Sequence, residues 1–247
     1  MGGTGGIGLS AAKAFVVEGA RVCVVGRDSE RVDLALEMLG ENAIGFSGDA
    51  SNPDTAIQAV ELCCENWEGV DGLYHVAGGS GRRFGDGPLH EITDEGWNRT
   101  LQLNLNSVMY SNRAVLKQLL DRKSAGSILN CGSVLGASPS PEFFSTQAYA
   151  TTKAAINGLT RSSAATFAKD NIRFNVLSPA LVATPMSERA QTNDDIMNFI
   201  QSKQPLDGGR IGQPDDLDSA AIFFMSDESR FVTGQVLSVD GGWSVGG

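Results

Sequence analysis

Met1-Gly2-Gly3-Thr4-Gly5-Gly6-Ile7-Gly8 runs directly into the helically periodic segment Leu9 to Glu18 and then into the β-branched run Arg21-Val22-Cys23-Val24-Val25. Glycines at 2, 6 and 8 remove side chains where a loop turns into a helix, so backbone amides and the helix N-terminus can approach an anion closely. Taken alone, the loop reads equally well as a flexible glycine-rich terminus. The rest of the chain narrows the choice. Short strand-like runs at Arg21 to Val25, Ala43 to Ser47, Gly72 to Ala77, Gly126 to Cys131, Arg173 to Leu177 and Val236 to Val239 alternate with helical periodicity. The helical segments are Leu9 to Glu18, Ser29 to Leu39, Pro53 to Trp67, Asp94 to Leu120, Gln147 to Ala168, Asp194 to Ser202 and Pro214 to Met225, with Pro53 and Pro214 suited to first-turn positions. This alternation predicts an α/β fold with a doubly wound parallel sheet.

One element of that pattern is missing. A dinucleotide-binding unit carries a strand immediately before its glycine loop, and here only Met1 precedes Gly2. The expectation is a sheet without its first strand, through a misplaced start or a truncation. That strand belongs mid-sheet, so its neighbours' backbone groups are expected to lie unpaired.

A length of 247 residues suits one core, and residues 1–247 are expected to form a single domain with substrate loops at 134–146 and 180–213. Nineteen Lys and Arg against 29 Asp and Glu give a formal charge of −10, which disfavours nucleic acid and anionic membranes as partners. No apolar run reaches the roughly 18 residues of a membrane helix and no signal-peptide pattern is present, so a soluble cytoplasmic protein is expected. Cys23, Cys63, Cys64 and Cys131 lack metal-ligand spacing and read as buried thiols, and His75 and His90 stand far apart, so no metal site is expected.

After the strand ending at Val25, Gly26 stands where a carboxylate would hold an adenosine ribose diol, and Arg27 is the next residue. A guanidinium can pair with a 2′-phosphate, which favours NADP(H), although Asp28 weakens the positive field and NAD(H) stays possible. Tyr149 and Lys153, four residues apart in Tyr-Ala-Thr-Thr-Lys, share one helix face, where an ammonium beside a phenol favours the phenolate and suits tyrosine to proton transfer. In isolation that spacing more often describes an ordinary surface helix.

From Gly2 to Val239-Asp240-Gly241-Gly242 the chain resembles the short-chain dehydrogenase/reductase family, whose Rossmann-like sheet is the doubly wound one read above. The resemblance rests on the glycine loop, Ser133 after Ile128-Leu129-Asn130-Cys131-Gly132, Asn104 in Leu103-Asn104-Leu105-Asn106, and the Tyr149–Lys153 pair. It implies a catalytic tetrad of Asn104, Ser133, Tyr149 and Lys153. Tyr149 would move the proton, Ser133 hold the reacting oxygen, Lys153 bind the nicotinamide ribose and Asn104 support a water. Cofactor contacts are implied for Gly2, Gly6, Ile7, Gly8, Arg27, Asp49, Ala50, Ala77 and Gly78, then for Tyr149, Lys153, Pro179, Val182 and Thr184. The implied activity is carbonyl–alcohol interconversion on a small molecule by hydride transfer with NADP(H), as a ketone or 3-oxoacyl reductase. The alternative is a catalytically silent cofactor-binding or interaction protein, disabled by the missing strand. A homotetramer or homodimer is implied too, with the helices of Asn104 and Tyr149 and the segment near Trp243 packing between subunits.

The chain departs from the family at Met1, where threonine is usual, at His75-Val76, where two asparagines are usual, and at Ala180, where glycine is usual. His75 is read as a structural substitute. Phe143-Phe144 are read either as an apolar wall beside the substrate or as ordinary packing. Arg82-Arg83 are read first as a solvated loop and second as positive charge favouring an acidic substrate.

Overall fold

The computed structural model describes residues 1–246. Its strands are β1 (Val22–Gly26), β2 (Ala43–Ser47), β3 (Gly72–His75), β4 (Gly126–Cys131), β5 (Ile172–Pro179) and β6 (Val236–Val239). All pairings are parallel, and they fall into two sheets, β1-β2 and β3-β4-β5-β6. Between β1 and β3, where the sequence lacks a strand, lie Met1 to Gly3. The Met1 amino group donates to Tyr74 O at 3.1 Å, Val76 N–H donates to Met1 O at 2.9 Å, and Gly2 N–H donates to Val25 O at 2.8 Å. This short segment ties the two sheets together.

Burial on both sides explains why neighbouring residues of β4 and β5, Ile128-Leu129 and Val176-Leu177, are both apolar rather than alternating with polar ones. Ile128 and Leu129, adjacent and fully buried, point to opposite faces. Leu129 and Leu177 pack with Ala11, Leu217, Ala221 and Phe224 on one face. Ile128 and Phe174 pack with Val115, Leu119 and Ala164 on the other. Burying each such side chain contributes about 1.5–3 kcal/mol before entropy is counted.

The helices are α1 (Gly6–Val17), α2 (Ser29–Leu39), α3 (Pro53–Trp67), α4 (Asp94–Leu101), α5 (Ser107–Arg122), α6 (Pro141–Phe144), α7 (Gln147–Phe167), α8 (Glu188–Gln191), α9 (Asp194–Lys203) and α10 (Asp218–Met225). Local chemistry sets several starts: Asp28 accepts from Arg31 N–H at 3.3 Å, and Asn52 accepts from Asp54 N–H at 3.1 Å just before Pro53. Pro214 opens a tight turn, Pro214–Leu217, that leads into α10.

Two expectations are corrected. The helix expected over Asp94 to Leu120 is interrupted by a wide π turn at Gln102–Asn106. Cys64 is exposed on α3 and Cys23 half-buried, because an amphipathic helix turns adjacent residues to different environments; only Cys63 and Cys131 are buried. Trp243 is buried within its own chain. Among the described residues, no helix is long and apolar enough to cross a membrane.

Candidate active site

A cavity of about 1110 Å³ runs past the C-terminal ends of the strands, from the glycine loop at one end to Tyr149 at the other. Such a crevice is where parallel α/β sheets present ligands.

The glycine end is made of close backbone contacts. Gly2 has φ +82°, and a methyl group there would lie 2.6 Å from Ala77 N. A methyl group on Gly8 would overlap Gly2 O, so the loop and the first turn of α1 touch directly. No side chain caps α1 and its first turn holds no acidic residue, leaving its leading amides open beside the cavity that Gly5, Gly6 and Ile7 line. Gly2, Arg27, Asp49, Ala50, Ala77 and Gly78 line the same wall, whereas Gly8 lies behind it. Thr4 fills the space over Gly26, so that any side chain at 26 would collide with it. Asp49 accepts from the amide and hydroxyl of Ser51 at 2.9 and 2.8 Å, which fixes the turn after β2. An uncapped helix terminus beside a cradle that side chains would fill suits a nucleotide pyrophosphate.

At the other end the walls are side chains. Lys153, buried on α7, donates from Nζ to Cys131 O at 2.8 Å, and its Nζ stands 5.5 Å from the centre of the Tyr149 ring. Ser133 Oγ accepts from Leu135 N–H at 3.2 Å, leaving its own proton free to donate into the cavity. The turn Val134–Gly136 that carries it packs on α7, where a methyl group on Gly136 would lie 2.8 Å from Ala154 N. Pro179, Val182 and Thr184 line the adjoining wall.

Asn104 is fully buried in the π turn and does not line the cavity. Its Nδ2 donates to Thr100 O and Gly79 O, both at 2.9 Å, and its Oδ1 accepts from Gly79 N–H at 3.0 Å. Its side chain thus takes the Thr100 carbonyl that a regular helix would offer to the Asn104 amide, and the helix widens. A methyl group on Gly78 would sit 2.7 Å from Asn104 Oδ1 and 3.8 Å from Lys153 Nζ, so absence of a side chain at 78 keeps these two groups adjacent.

His75 lies beneath the site, fully buried, with Nδ1 2.6 Å from Ser111 Oγ and Nε2 3.0 Å from Ala77 O. The network assigns the proton to Nε2, donating to Ala77, while Nδ1 accepts from Ser111. Burial, then the positive charges of the amino terminus and Lys153, hold the imidazole well below its usual pKa. A neutral ring with both nitrogens occupied ties β3 to α5 and has no free base to offer the cavity.

Asp86, Arg189 and Phe199 escaped the sequence reading. Asp86, buried in the loop before α4, accepts from Ala148 N–H through Oδ1 and from Tyr149 N–H through Oδ2, both at 3.0 Å. One carboxylate from 62 residues away thus caps the first turn of the Tyr149 helix. Phe144 and Trp243 line the cavity with ring centres 5.7 Å apart, and Phe199 supports them from behind. Arg82 and Arg189 line the same side. Phe144 and Arg82 thus lie on the cavity side, as one of the two readings given to each above has it, whereas nothing local in the sequence says that Arg189 and Trp243 meet them.

Comparison with known proteins gives a consistent answer. The family described as enoyl-(acyl carrier protein) reductase matches residues 2–244. A 3-oxoacyl-(acyl-carrier-protein) reductase of Chlamydia trachomatis is 33% identical over 245 residues, covering 98% of this chain and 94% of the relative. A short-chain type dehydrogenase/reductase from Mycobacterium ulcerans superposes with a TM-score of 0.90 at 30% identity, covering 99% of this chain and 88% of that one. A 3-ketoacyl-(acyl-carrier-protein) reductase from Brucella melitensis, solved in complex with NADH, has a TM-score of 0.86 at 27% identity, covering 99% and 96%.

Proposed function

Because the chain belongs to the short-chain dehydrogenase/reductase family, we propose that it reduces a ketone or 3-oxoacyl group to the alcohol, reversibly and with NADP(H) as preferred cofactor. The observation that carries the reading is the meeting of Ser133, Tyr149 and Lys153 at one end of a cavity whose other end is a side-chain-free cradle.

When bound, the nicotinamide supplies or accepts a hydride at the substrate carbon. Gly2, Gly6, Ile7, Ala77 and Gly78 would hold the cofactor through backbone contacts, with Gly8 keeping the loop against α1. Asp49 and Ala50 belong near adenine, and Pro179, Val182 and Thr184 near the carboxamide. Ser133 donates its hydroxyl proton to the substrate oxygen and orients it. Tyr149 delivers the proton to that oxygen in reduction and removes it in oxidation. Lys153, anchored on Cys131 O, binds the nicotinamide ribose and sets its charge beside Tyr149. Asn104 acts at one remove: it spreads the helix and fixes Gly79, in keeping with a water relay to Lys153.

The NADP(H) preference rests on Gly26, Thr4 and Arg27. With Thr4 over Gly26 there is no room for a carboxylate at 26, and Arg27 on the cavity wall can pair with a 2′-phosphate. NADH, present in the Brucella structure, remains a usable alternative. The silent-protein reading finds less support, since Met1 to Gly3 bridge the two sheets and the reacting groups stay together. A cytoplasmic location suits the four unpaired thiols. A homodimer or homotetramer suits the exposed apolar side chains of Phe231, Leu237 and Val245.

Titration with NADPH and NADH, monitored by nicotinamide fluorescence and then by ketone-dependent oxidation, tests the proposal. Tighter binding of NADPH with turnover supports it; absence of binding by either nucleotide overturns it.

A further inference from the structure

Arg82 and Arg189 come from distant segments, the turn Arg82–Phe84 and helix α8, yet both line the cavity on its Phe144 side. Arg82 Nη2 donates to Phe143 O at 2.9 Å, and Arg189 Nη2 donates to the same oxygen at 3.4 Å. Two like charges therefore converge on one neutral acceptor. Partial loss of water and the charge of Arg189 both lower the Arg82 pKa, offset in part by Asp86.

Four cations of this acidic chain meet carboxylates, Arg31 with Asp28, Lys117 with Asp121, Arg122 with Asp71, and Arg210 with Asp207 and Asp216; what sets Arg82 and Arg189 apart is that they are brought together on one carbonyl at the cavity. Among the described residues Arg82 and Arg189 have no ion-pair partner. Asp86 acts on Arg82 without forming an ion pair with it, and its two oxygens accept from the amides of α7. Each guanidinium carries five N–H donors in a rigid fork, and Phe143 O takes one from each. The remaining donors are available beside the cavity, and the one nearby carboxylate, Asp86, offsets the repulsion only in part.

We infer that the substrate is a ketone bearing a carboxylate, its carbonyl at Ser133 and Tyr149 and its carboxylate between Arg82 and Arg189. This deepens the reductase reading and rests on it. Phe144, Met186, Ala190 and Trp243 line the wall nearby, so the segment joining the two groups is apolar. A carboxylate there accepts from both forks and cancels their repulsion. The same pair supplies local attraction for an anion that a net charge of −10 would otherwise repel.

The test uses Tyr149→Phe enzyme saturated with NADPH, in which turnover is blocked. It is titrated with 4-oxopentanoate and 5-oxohexanoate, and with the methyl ester of each, while quenching of nicotinamide fluorescence is recorded. At least one acid is expected to bind about tenfold or more tightly than its ester. That ratio should fall toward one in Arg82→Met, in Arg189→Met and in high salt, and survive in Arg83→Met, whose guanidinium stacks 4.6 Å over the Phe84 ring. Equal binding of acids and esters, or a preference indifferent to Arg82 and Arg189, overturns the inference, while NADPH binding and ester reduction by the parent enzyme would leave the reductase reading standing. Failure of the parent enzyme to bind either NADPH or NADH overturns both.

Discussion

At the glycine end of the cavity the walls are backbone: Gly2 against Ala77, Gly8 against Gly2, and the open first turn of α1. At the Tyr149 end they are side chains delivered by separate segments: Ser133 after β4, Tyr149 and Lys153 on α7, Phe144 and Arg82 from long loops, and Trp243 near the C-terminus. The first end suits the part of a ligand that is always the same, and a Cβ added at Gly2 or Gly8 strikes main chain. The second end can change its partners by exchanging loop residues while the reacting groups stay fixed on α7. The division corresponds to a shared nucleotide and a substrate that differs between relatives.

The contrast is sharpest if each end can be altered separately. At the nucleotide end, Arg27→Ala is expected to weaken NADPH by about ten- to a hundredfold, the loss of a charge-assisted contact, with little change for NADH. Parallel fluorescence titrations check this, and equal losses for both nucleotides would remove Arg27 from phosphate recognition. At the substrate end, Asp86→Ala removes the cap on Ala148 and Tyr149. It is expected to cost about 1 kcal/mol of stability and lower kcat about tenfold, with nucleotide affinity retained. Thermal melts with steady-state kinetics decide, and an unchanged kcat would make Asp86 purely structural.

His75 lies under both ends and gives the smallest effect. Its folded pKa is well below 6.5, so on acidification the unfolded chain takes up the proton first. Its contribution to stability is complete above about pH 6.5 and is lost progressively as pH falls below that value. Denaturant unfolding of the parent protein and His75→Asn between about pH 7 and 5 should show a smaller acid loss in the variant, and parallel curves would contradict the assignment.

Much of the fold was readable because its signals are local. β2, β4 and β6 match their predicted runs, and Asp28 and Asn52 start α2 and α3 where capping chemistry places them. The π turn was not readable, since it depends on a side chain between α4 and α5 bonding to Gly79, 25 residues away. The implied tetrad shows the same split. Ser133, Tyr149 and Lys153 share the cavity, whereas Asn104 is behind it, because the resemblance named the residue without its depth. Asp86, Arg189 and Trp243 gave no usable signal, as their roles arise only once distant loops meet. Trp243 is enclosed by the Phe144 and Phe199 rings, contacts of which its position in the sequence carries no mark.

The central claim is that Tyr149 moves the proton in a pocket that binds the nucleotide independently of it. Tyr149→Phe keeps the ring and removes only the hydroxyl, so NADPH affinity should stay within about twofold of the parent while kcat for ketone reduction falls about 10²–10⁴-fold. A variant that binds NADPH and still reduces ketone at the parent rate would contradict the assignment of Tyr149 and, with it, the chemistry proposed for this site.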